Sequence, residues 1–384
     1  MEYRKLDGRE ISEIGTGCYP LSGAYGSVDN SAYEKVLKRA VELGINFFDT
    51  ADTYGPKAEE ILGRVVKPHR EEIVIQTKVG ITQGNKPDLS YDSVYSACEK
   101  SLERLQTSYI DYYLIHFSDP ETPVKETISA MKDLKDDGMI RGYGVGHISF
   151  EELQEYHEKG KLSTAMMELS PVERGARERL LPFCEKNGIN GIAFSITGRG
   201  MMTGKFREEP DFEKGDIRNI DPLFKHARFQ SALRVLDKFE DLAERHDKTP
   251  VQIAINWVLN QKGIKCALTG PSSKEHLEEN IGGSGYDLYQ EDLEELEMFF
   301  KEEDERLKKE ELGVIKNILK QEAKRRDPSE FISDLVYAIE SSIKYDIVDE
   351  KEVIPLFRRV LAMRGDPDMG SLREIQKELR DIIL

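Results

Sequence analysis

Four polar residues stand at or just beyond the predicted ends of three consecutive strands. Asp49 and Tyr54 follow one strand within NFFDTADTYG, Lys78 ends IQTK and His116 ends DYYLIH. The carboxyl ends of neighbouring parallel strands meet at one mouth of a barrel or one edge of a sheet, so we expect these side chains to lie together. Each residue alone also fits a structural role, such as a turn cap, a solvated strand end or a core histidine. Their order on three strands favours a shared chemical role.

That chemistry follows from the weak acidity of a phenol. A free tyrosine titrates near pH ~10, which makes it a poor acid at neutrality. A lysine ammonium at ~4 Å favours the phenolate by ~4 kcal/mol at an effective dielectric constant near ~20, before desolvation opposes it. Asp49 would hold Lys78 charged and in place, and His116 would orient a carbonyl or share the proton. The set predicts proton donation from Tyr54 to a carbonyl oxygen while hydride reaches the carbon.

The elements that position these residues alternate between strand and helix. A hairpin is predicted around Asp7-Gly8, because this dipeptide is a strong two-residue turn signal. Eight strands joined by helical crossovers then predict an α/β fold closed as a (β/α)8 TIM barrel. A doubly wound open sheet is the alternative, although it usually carries GxGxxG after its first strand and GTGCYP differs. The predicted strands are 11–17, 45–49, 73–77, 111–116, 140–145, 165–169, 191–195 and 266–269.

Several helix starts are predicted from capping signals. Ser31 with Glu34, Ser149 with Glu152 and Ser371 with Glu374 have the spacing of capping boxes, and Thr249-Pro250 opens a further helix.

The last part of the chain differs in character from the first. From about residue 290 it is charged and helical, and Pro328 interrupts it. We predict a barrel over residues 1–305 and an all-helical extension over 306–384, close to the smallest size that supports its own core. Its amphipathic faces are expected to pack on each other and on the barrel. A homo-oligomer or a protein partner bound through these helices is the alternative.

Composition restricts the partners and the location. The 384 residues carry a formal net charge of −17, which argues against general nucleic-acid binding. The sequence shows no signal peptide and no apolar run of ~18 residues, so we expect a cytoplasmic protein without a membrane span. No metal site is predicted. The four cysteines form no CxxC and are read as isolated thiols: Cys18, Cys98, Cys184 and Cys266.

The chain resembles the aldo-keto reductase superfamily over residues 1 to about 300. The resemblance rests on GINFFDTADTYG, IQTK, DYYLIH, IRGYGVG, LLPFCEKNGI, RGMMTGK and LTGPSSKEHLEEN, which occur in family order. It implies a barrel whose hairpin closes the bottom and an NAD(P)H site at the carboxyl mouth. It also implies roles for the four residues: Tyr54 as general acid, Lys78 and Asp49 as the pair that tunes it, and His116 as the group that orients the carbonyl.

The resemblance implies cofactor contacts along the later strand ends. Gly17 and Gly270 match glycines at two of these ends, and Arg199, Gly204 and Lys205 match the loop over the pyrophosphate. Glu279 and Asn280 match residues that contact the adenine end.

Three positions depart from the family pattern. GVGH replaces the common GVSN, so Gly146 cannot hold the nicotinamide carboxamide and His147 is the candidate replacement. Met166 replaces a glutamine and offers no amide; a plain core role fits it equally well. Phe194-Ser195 keeps an aromatic face where the family usually has tyrosine.

The cofactor's phosphate groups have candidate partners near the C-terminal end of the barrel sequence. Ser272, Ser273 and Lys274 precede a helix, whose free N–H groups and dipole favour a phosphate. The resemblance implies a cation for the 2′-phosphate; Lys274 and a protonated His276 are the candidates. We therefore expect NADP(H) rather than NAD(H).

The predicted function is NAD(P)H-dependent reduction of an aldehyde or ketone, with a small carbonyl compound as substrate. Cys18, Tyr19, Tyr25 and Phe117 are the expected pocket residues. A nicotinamide-binding regulatory or scaffold protein, whose helical tail recruits a partner, is the main alternative. A barrel isomerase or lyase that uses Lys78 and Tyr54 without redox chemistry is a third.

Overall fold

Eight parallel strands close into a barrel, preceded by a two-stranded antiparallel hairpin. The computed structural model describes residues 1–81, 86–321, 327–345, 347–363 and 365–384. The strands are β1 (Tyr3–Leu6), β2 (Arg9–Ser12), β3 (Ile14–Gly17), β4 (Phe47–Asp49), β5 (Val74–Val79), β6 (Ile110–Phe117), β7 (Ile140–His147), β8 (Thr164–Glu168), β9 (Asn190–Phe194) and β10 (Ile264–Thr269).

Helices follow most barrel strands and make up most of the C-terminal part. They are α1 (Asn30–Glu42), α2 (Pro56–Val66), α3 (Tyr91–Leu105), α4 (Val124–Asp136), α5 (Phe150–Gly160), α6 (Leu180–Asn187), α7 (His226–His246), α8 (Pro250–Leu259), α9 (Lys274–Ile281), α10 (Gln290–Lys320), α11 (Pro328–Lys344), α12 (Glu350–Ala362) and α13 (Met369–Ile383).

The barrel order is β10-β3-β4-β5-β6-β7-β8-β9, with neighbouring strands parallel. This confirms the predicted (β/α)8 TIM barrel and excludes the open sheet. The hairpin β1–β2 turns at Asp7 and Gly8, both at positive φ, as a two-residue hairpin turn requires. Leu6 and Ile11 of the hairpin join the barrel's apolar cluster with Phe47, so the hairpin and the strands share one core.

The chain divides into two compact units. The first comprises Met1–Thr203 and Phe239–Leu288, and it contains the barrel. The second comprises Gly204–Lys238 and Tyr289–Leu384. The division predicted from sequence, between residues 305 and 306, lies inside the continuous helix α10 and stays a prediction.

The second unit has a core of its own. Ile315 of α10, Leu335 of α11, Val353 of α12 and Leu372 of α13 belong to one buried apolar cluster, and Ile220 packs against it. The part of the loop after β9 that begins at Gly204 therefore belongs to the same unit as the tail helices. Inside this unit Ser333 Oγ donates to Asn219 O at 3.2 Å, and Arg234 Nε donates to Glu303 Oε2 at 2.9 Å. None of the helices in the described ranges is long and apolar enough to cross a membrane.

Candidate active site

The turn after β4 positions two of the predicted residues. Phe47 and Phe48 are fully buried, and Asp49 is the last residue of that strand. One turn of 3-10 helix, Asp52–Tyr54, follows and ends at Gly55, whose φ of +85° suits glycine. Pro56 then begins α2. This sharp turn brings the Tyr54 hydroxyl back over the end of the neighbouring strand β5.

Lys78 of β5 is the centre of the cluster. Its Nζ donates to Asp49 Oδ2 at 2.7 Å, to Thr50 O at 2.7 Å and to Tyr54 OH at 3.2 Å. The side chain is completely buried. These three contacts match the three protons of an ammonium group, and the carboxylate balances its charge. The structure thus brings Asp49, Tyr54 and Lys78 into direct contact, as the sequence predicts.

Gln76 is a fourth member that the sequence analysis missed. It lies two residues before Lys78 on β5, so both side chains are on the same face of the strand. Its Nε2 donates to Asp49 Oδ1 at 2.7 Å, so both carboxylate oxygens of Asp49 are held, one by each residue. The only available signal was the two-residue spacing within IQTK.

Tyr54 is held in its protonated form. Burial, and after it the negative charge of Asp49, raises the pKa of Tyr54 well above its usual value. The sequence expectation, in which Lys78 favoured the phenolate, is outweighed because the phenol loses solvent and Asp49 offsets the ammonium charge. At neutral pH the group is therefore a proton donor, and its phenolate would form next to Lys78.

His116 ends up beside the same turn. It is buried near the end of β6, its ring centroid is 5.9 Å from that of Tyr54, and its Nδ1 lies 3.3 Å from Thr53 Oγ1. Burial, followed by the charges of Lys78 and His147, lowers the pKa of His116 well below its usual value. A neutral imidazole at this place can accept or donate a hydrogen bond without adding charge.

Aromatic rings continue from His116 to the end of β9. Phe117 stacks on His116 at 4.1 Å, His147 lies 5.8 Å from His116, and Phe194 lies 4.8 Å from His147. Met166, in place of a polar amide, is buried in the barrel's apolar cluster, against which Phe194 packs. The plain core interpretation of Met166 therefore holds.

Tyrosines of the first loop lie on another side of Tyr54. Tyr19 meets the Tyr54 ring edge-on at 5.1 Å, and Tyr25 meets Tyr19 at 5.3 Å. Cys18 is buried, and burial raises the pKa of its thiol, so it stays a neutral thiol at physiological pH. Of the residues predicted for the pocket, Tyr19 thus contacts the Tyr54 ring and Phe117 contacts His116.

Three further predicted cofactor residues lie at barrel strand ends. Gly17 is the last residue of β3, and its carbonyl accepts from Tyr33 OH at 2.6 Å. Gly270 directly follows β10. Ser195 directly follows β9 and has a positive φ of 54°.

Arg199 has a partner that sequence analysis did not identify. Its guanidinium lies 2.7 Å from Glu168 Oε1, at the end of β8. Loss of solvent around the ring, and then the charges of Lys78 and Arg199, lowers the pKa of His147. Arg199 thus acts electrostatically on His147, at the carboxyl end of the barrel.

The start of α9 gathers several of the remaining residues. Ser273 caps the helix by accepting from His276 N at 3.2 Å, and Ser272 Oγ lies 3.0 Å from His276 Nδ1. Lys274 is the first helical residue. Glu279 and Asn280 lie in the last turn, where Asn280 is buried and the Glu279 carbonyl accepts from Gln252.

Gly204 and Lys205 belong to the second unit. Gly204 has a φ of +73°, and Lys205 Nζ lies 4.7 Å from the centre of the Phe206 ring. Burial, and then the charge of Arg218, lowers the pKa of Lys205. Their predicted cofactor contacts stay predictions.

Comparison with known proteins adds to this geometry. The sequence model described as "Aldo/keto reductase family" matches residues 13–300. The aldo-keto reductase YhdN of Bacillus subtilis is 33% identical over 306 residues, which cover 77% of this chain and 92% of that protein. The aldo-keto reductase yakc [NADP(+)] of Schizosaccharomyces pombe is 31% identical over 295 residues, covering 73% and 85%. These matches confirm the resemblance predicted from sequence.

Comparison with a solved structure gives the same result as the sequence matches. The glycerol dehydrogenase AKR11B4 of Gluconobacter oxydans superposes with a TM-score of 0.71 at 29% identity, covering 77% of this chain and 94% of that one.

Proposed function

Because the chain belongs to the aldo/keto reductase family, a family of NAD(P)H-dependent oxidoreductases, we propose that it reduces an aldehyde or ketone to an alcohol with Tyr54 as the acid. The observation that carries this proposal is the set of contacts made by Lys78 Nζ, which reaches Asp49 and Tyr54 together. A buried ammonium held at 3.2 Å from a protonated phenol suits a proton that leaves as charge develops on the oxygen.

The roles of the residues follow from their contacts. Tyr54 donates its proton to the carbonyl oxygen, and Lys78 stabilises the phenolate that remains. Asp49 and Gln76 fix the ammonium, because the amide of Gln76 occupies the carboxylate oxygen that Lys78 does not use. His116 stays neutral, so it orients the carbonyl by a hydrogen bond without competing for the proton. Burial excludes water from this transfer.

The residues present fit a nicotinamide dinucleotide phosphate. Serine hydroxyls, a lysine and a histidine gather at the N-terminus of α9, where free N–H groups favour a phosphate. At the end of β9, Phe194 offers an aromatic face beside His147. When bound, the cofactor supplies the hydride. The predicted contacts are Gly17, His147, Phe194, Ser195, Arg199, Gly204, Lys205, Gly270, Ser272, Lys274, His276, Glu279 and Asn280.

NADP(H) is the cofactor that we propose. The yeast relative is named for NADP(+), and here Lys274 begins α9 while His276 lies beside Ser272. A cation at this place favours the doubly charged 2′-phosphate over a plain hydroxyl. We also propose a cytoplasmic location.

The experiment titrates full-length protein with NADPH and NADH separately, following the cofactor's emission, and then screens aldehydes and ketones for NADPH oxidation. We expect tighter binding of NADPH and turnover of at least one carbonyl compound. Lys274→Gln should weaken NADPH about tenfold and leave NADH unchanged, whereas Lys57→Gln, at an exposed position on α2, should change neither. Binding of neither cofactor would contradict the proposal.

A second candidate is a nicotinamide-binding regulatory or scaffold protein. The separate apolar core of the second unit, built from α10 to α13, supports it. Sedimentation of the full-length protein would show whether it self-associates. Tight NADPH binding with no turnover of any carbonyl compound would favour this candidate over the reductase.

A further inference from the structure

Asp52 is a carboxyl group that the proposed reaction does not use. It begins the 3-10 turn Asp52–Tyr54, so the acid and the phenol share one turn of backbone. Its Oδ1 is buried and has no hydrogen-bond partner within the described residues. Thr53, between them, reaches His116 Nδ1 at 3.3 Å. A change in the charge of Asp52 therefore changes the electrostatic potential in the turn that carries Tyr54.

The neighbouring carboxylate on α2 already has its partners. Glu59 is completely buried; Thr77 Oγ1 donates to its Oε1 at 2.7 Å, and Arg104 Nε donates to its Oε2 at 2.6 Å. Arg104 also donates to Ser101 Oγ at 3.2 Å. The arginine in this pocket is thus engaged by Glu59, and Asp52 has no hydrogen-bonded cation in the described structure.

Charged and titratable groups surround Asp52 on several elements. Burial, and then the charge of Glu59, raises the pKa of Asp52 to about 7, while the Thr53 backbone N–H, Arg104 of α3 and Lys78 of β5 oppose the rise.

On β6, Tyr113 has a buried hydroxyl without a hydrogen-bond partner in the described structure. Its pKa is raised by burial, then by Cys98 of α3, and then by Asp52. The carboxyl group of Asp52 thus interacts electrostatically with both neighbouring strands, β5 and β6.

We propose that Asp52 is a positioning residue that sets the pH dependence of carbonyl reduction by adding a negative charge within the turn that carries Tyr54. This inference rests on the proposed reductase function. With Asp52 protonated, Lys78 has one carboxylate to balance and stabilises the phenolate left after proton donation. With Asp52 ionised, a second negative charge opposes that phenolate. Proton donation slows accordingly.

These charges determine whether the rate of reduction rises or falls with pH. Reduction is fast at low pH, where Asp52 is neutral, and declines as the pH rises through about 7. Neither Tyr54, with its raised pKa, nor His116, with its lowered pKa, titrates in that range. A decline centred there is therefore not explained by either of these two residues, and its loss in Asp52→Asn would assign it to Asp52.

The test measures single-turnover hydride transfer between pH 5.5 and 9 with saturating NADPH and carbonyl substrate. The native protein should slow by roughly three- to tenfold across the transition. Asp52→Asn should remove that decline while keeping the rate at low pH. Glu60→Gln, an exposed position beside Glu59 on α2, should keep the native profile. An unchanged decline in Asp52→Asn, or an equal loss of rate at every pH, would overturn the proposal.

Two further measurements keep the proposal testable if Asp52→Asn folds poorly or no substrate is found. Glu59→Gln removes a charge that opposes ionisation of Asp52, so the decline should move to lower pH; no movement would count against the proposal. Infrared titration of the native protein should show a protonated carboxyl band that disappears near pH 7 without any turnover. If that band is present but no carbonyl is reduced, the reductase function fails while the titration of Asp52 stands. If the band is absent, the proposal fails on its own.

Discussion

The two ends of the barrel balance buried charge in opposite ways. Near the amino end of strand β6, Asp111 is buried and accepts from three arginines: Arg9, Arg70 at 2.8 Å and Arg141 at 3.1 Å. It also accepts from the Ile75 backbone N–H at 3.0 Å. The single negative charge of Asp111 is therefore surrounded by three positive charges.

At the carboxyl end of the barrel the ratio is reversed, because one cation serves several acceptor groups. A single ammonium, Lys78, serves Asp49, a backbone carbonyl and a phenol, and the phenol can lose its proton. We conclude that the cluster around Asp111 (the lower cluster) joins strands and loops. In the cluster of Asp49, Tyr54, Gln76 and Lys78 (the upper cluster), the transfer of one proton changes the net charge. The difference lies in how many acceptors share each cation.

The largest predicted effect is at the upper cluster. Lys78→Met leaves the Asp49 carboxylate buried without its cation and removes the group that stabilises the phenolate. We expect kcat for carbonyl reduction to fall by about a thousandfold, within the usual range for loss of such groups. Steady-state kinetics would measure it, with Lys57→Met on the exposed face of α2 as control. A loss of less than tenfold would contradict a role for Lys78 in proton donation.

Asp111→Ala should act on stability instead. It leaves three arginines facing a gap, and breaking a buried ion pair typically costs about 3–5 kcal/mol in unfolding free energy. Urea unfolding should show this loss, while kcat per folded molecule changes less than about twofold. The matched control is Asp136→Ala at an exposed position on α4. If Asp111→Ala lowered kcat as strongly as Lys78→Met, the contrast between the two ends would be lost.

Gln76→Leu should give a smaller effect at the upper cluster. It removes the hydrogen bond to Asp49 Oδ1 and keeps the ion pair with Lys78. A hydrogen bond to a charged group is worth about 1.5–3 kcal/mol, so we expect kcat to fall by about ten- to a hundredfold. Gln76→Glu places a second carboxylate next to Asp49 and should be worse than leucine. Equal kcat in the native protein and both variants would show that Gln76 does not hold Asp49.

The smallest effect is on the pH dependence of stability. The pKa of His116 is lowered in the folded state, so in mildly acidic solution the unfolded chain binds a proton that the native protein does not. Stability should therefore fall as the pH drops below about 6.5, by roughly 1 kcal/mol per pH unit from this residue. Urea titrations between pH 7 and 5 should show a shallower fall in His116→Asn. An identical slope in both proteins would contradict a neutral, buried His116.

Much of the fold followed from local patterns. Alternating strands and helices predict the barrel, and the strand-end positions of Asp49, Lys78 and His116 predict their meeting, because the order of parallel strands fixes which strand ends are adjacent. The chemical roles of these residues stay proposals, but strand order alone was enough to predict that they lie together.

Helix starts show where local patterns fail. The predicted capping boxes at Ser31 and Ser371 are wrong: the side chains of Asp29 and Asp368 accept the first free N–H groups instead. In both places an aspartate stands ahead of the serine and begins the helix earlier. At Ser149 no such competitor precedes, and the predicted capping box is present.

Long-range polar partners were the hardest to predict. Gln76 with Asp49, Glu168 with Arg199, and Asp111 with its arginines join residues far apart in sequence. Such pairs depend on the register between strands and on side-chain direction, neither of which a single sequence displays. The pairing of Arg104 with Glu59, and an oxygen of Asp52 that has no hydrogen-bond partner in the described part of the chain, are further features of this kind.

The most direct test of the upper cluster compares Tyr54→Phe with the native protein in single-turnover hydride transfer, with NADPH and a reducible carbonyl compound at saturation. Phenylalanine keeps the ring contact with Tyr19 and removes the hydroxyl group, which carries the transferable proton and accepts a hydrogen bond from Lys78. We expect unchanged NADPH affinity and a rate lower by at least about a hundredfold. An unchanged rate would mean that the proton comes from another group, and that the contact between Lys78 and Tyr54 does not serve the reaction.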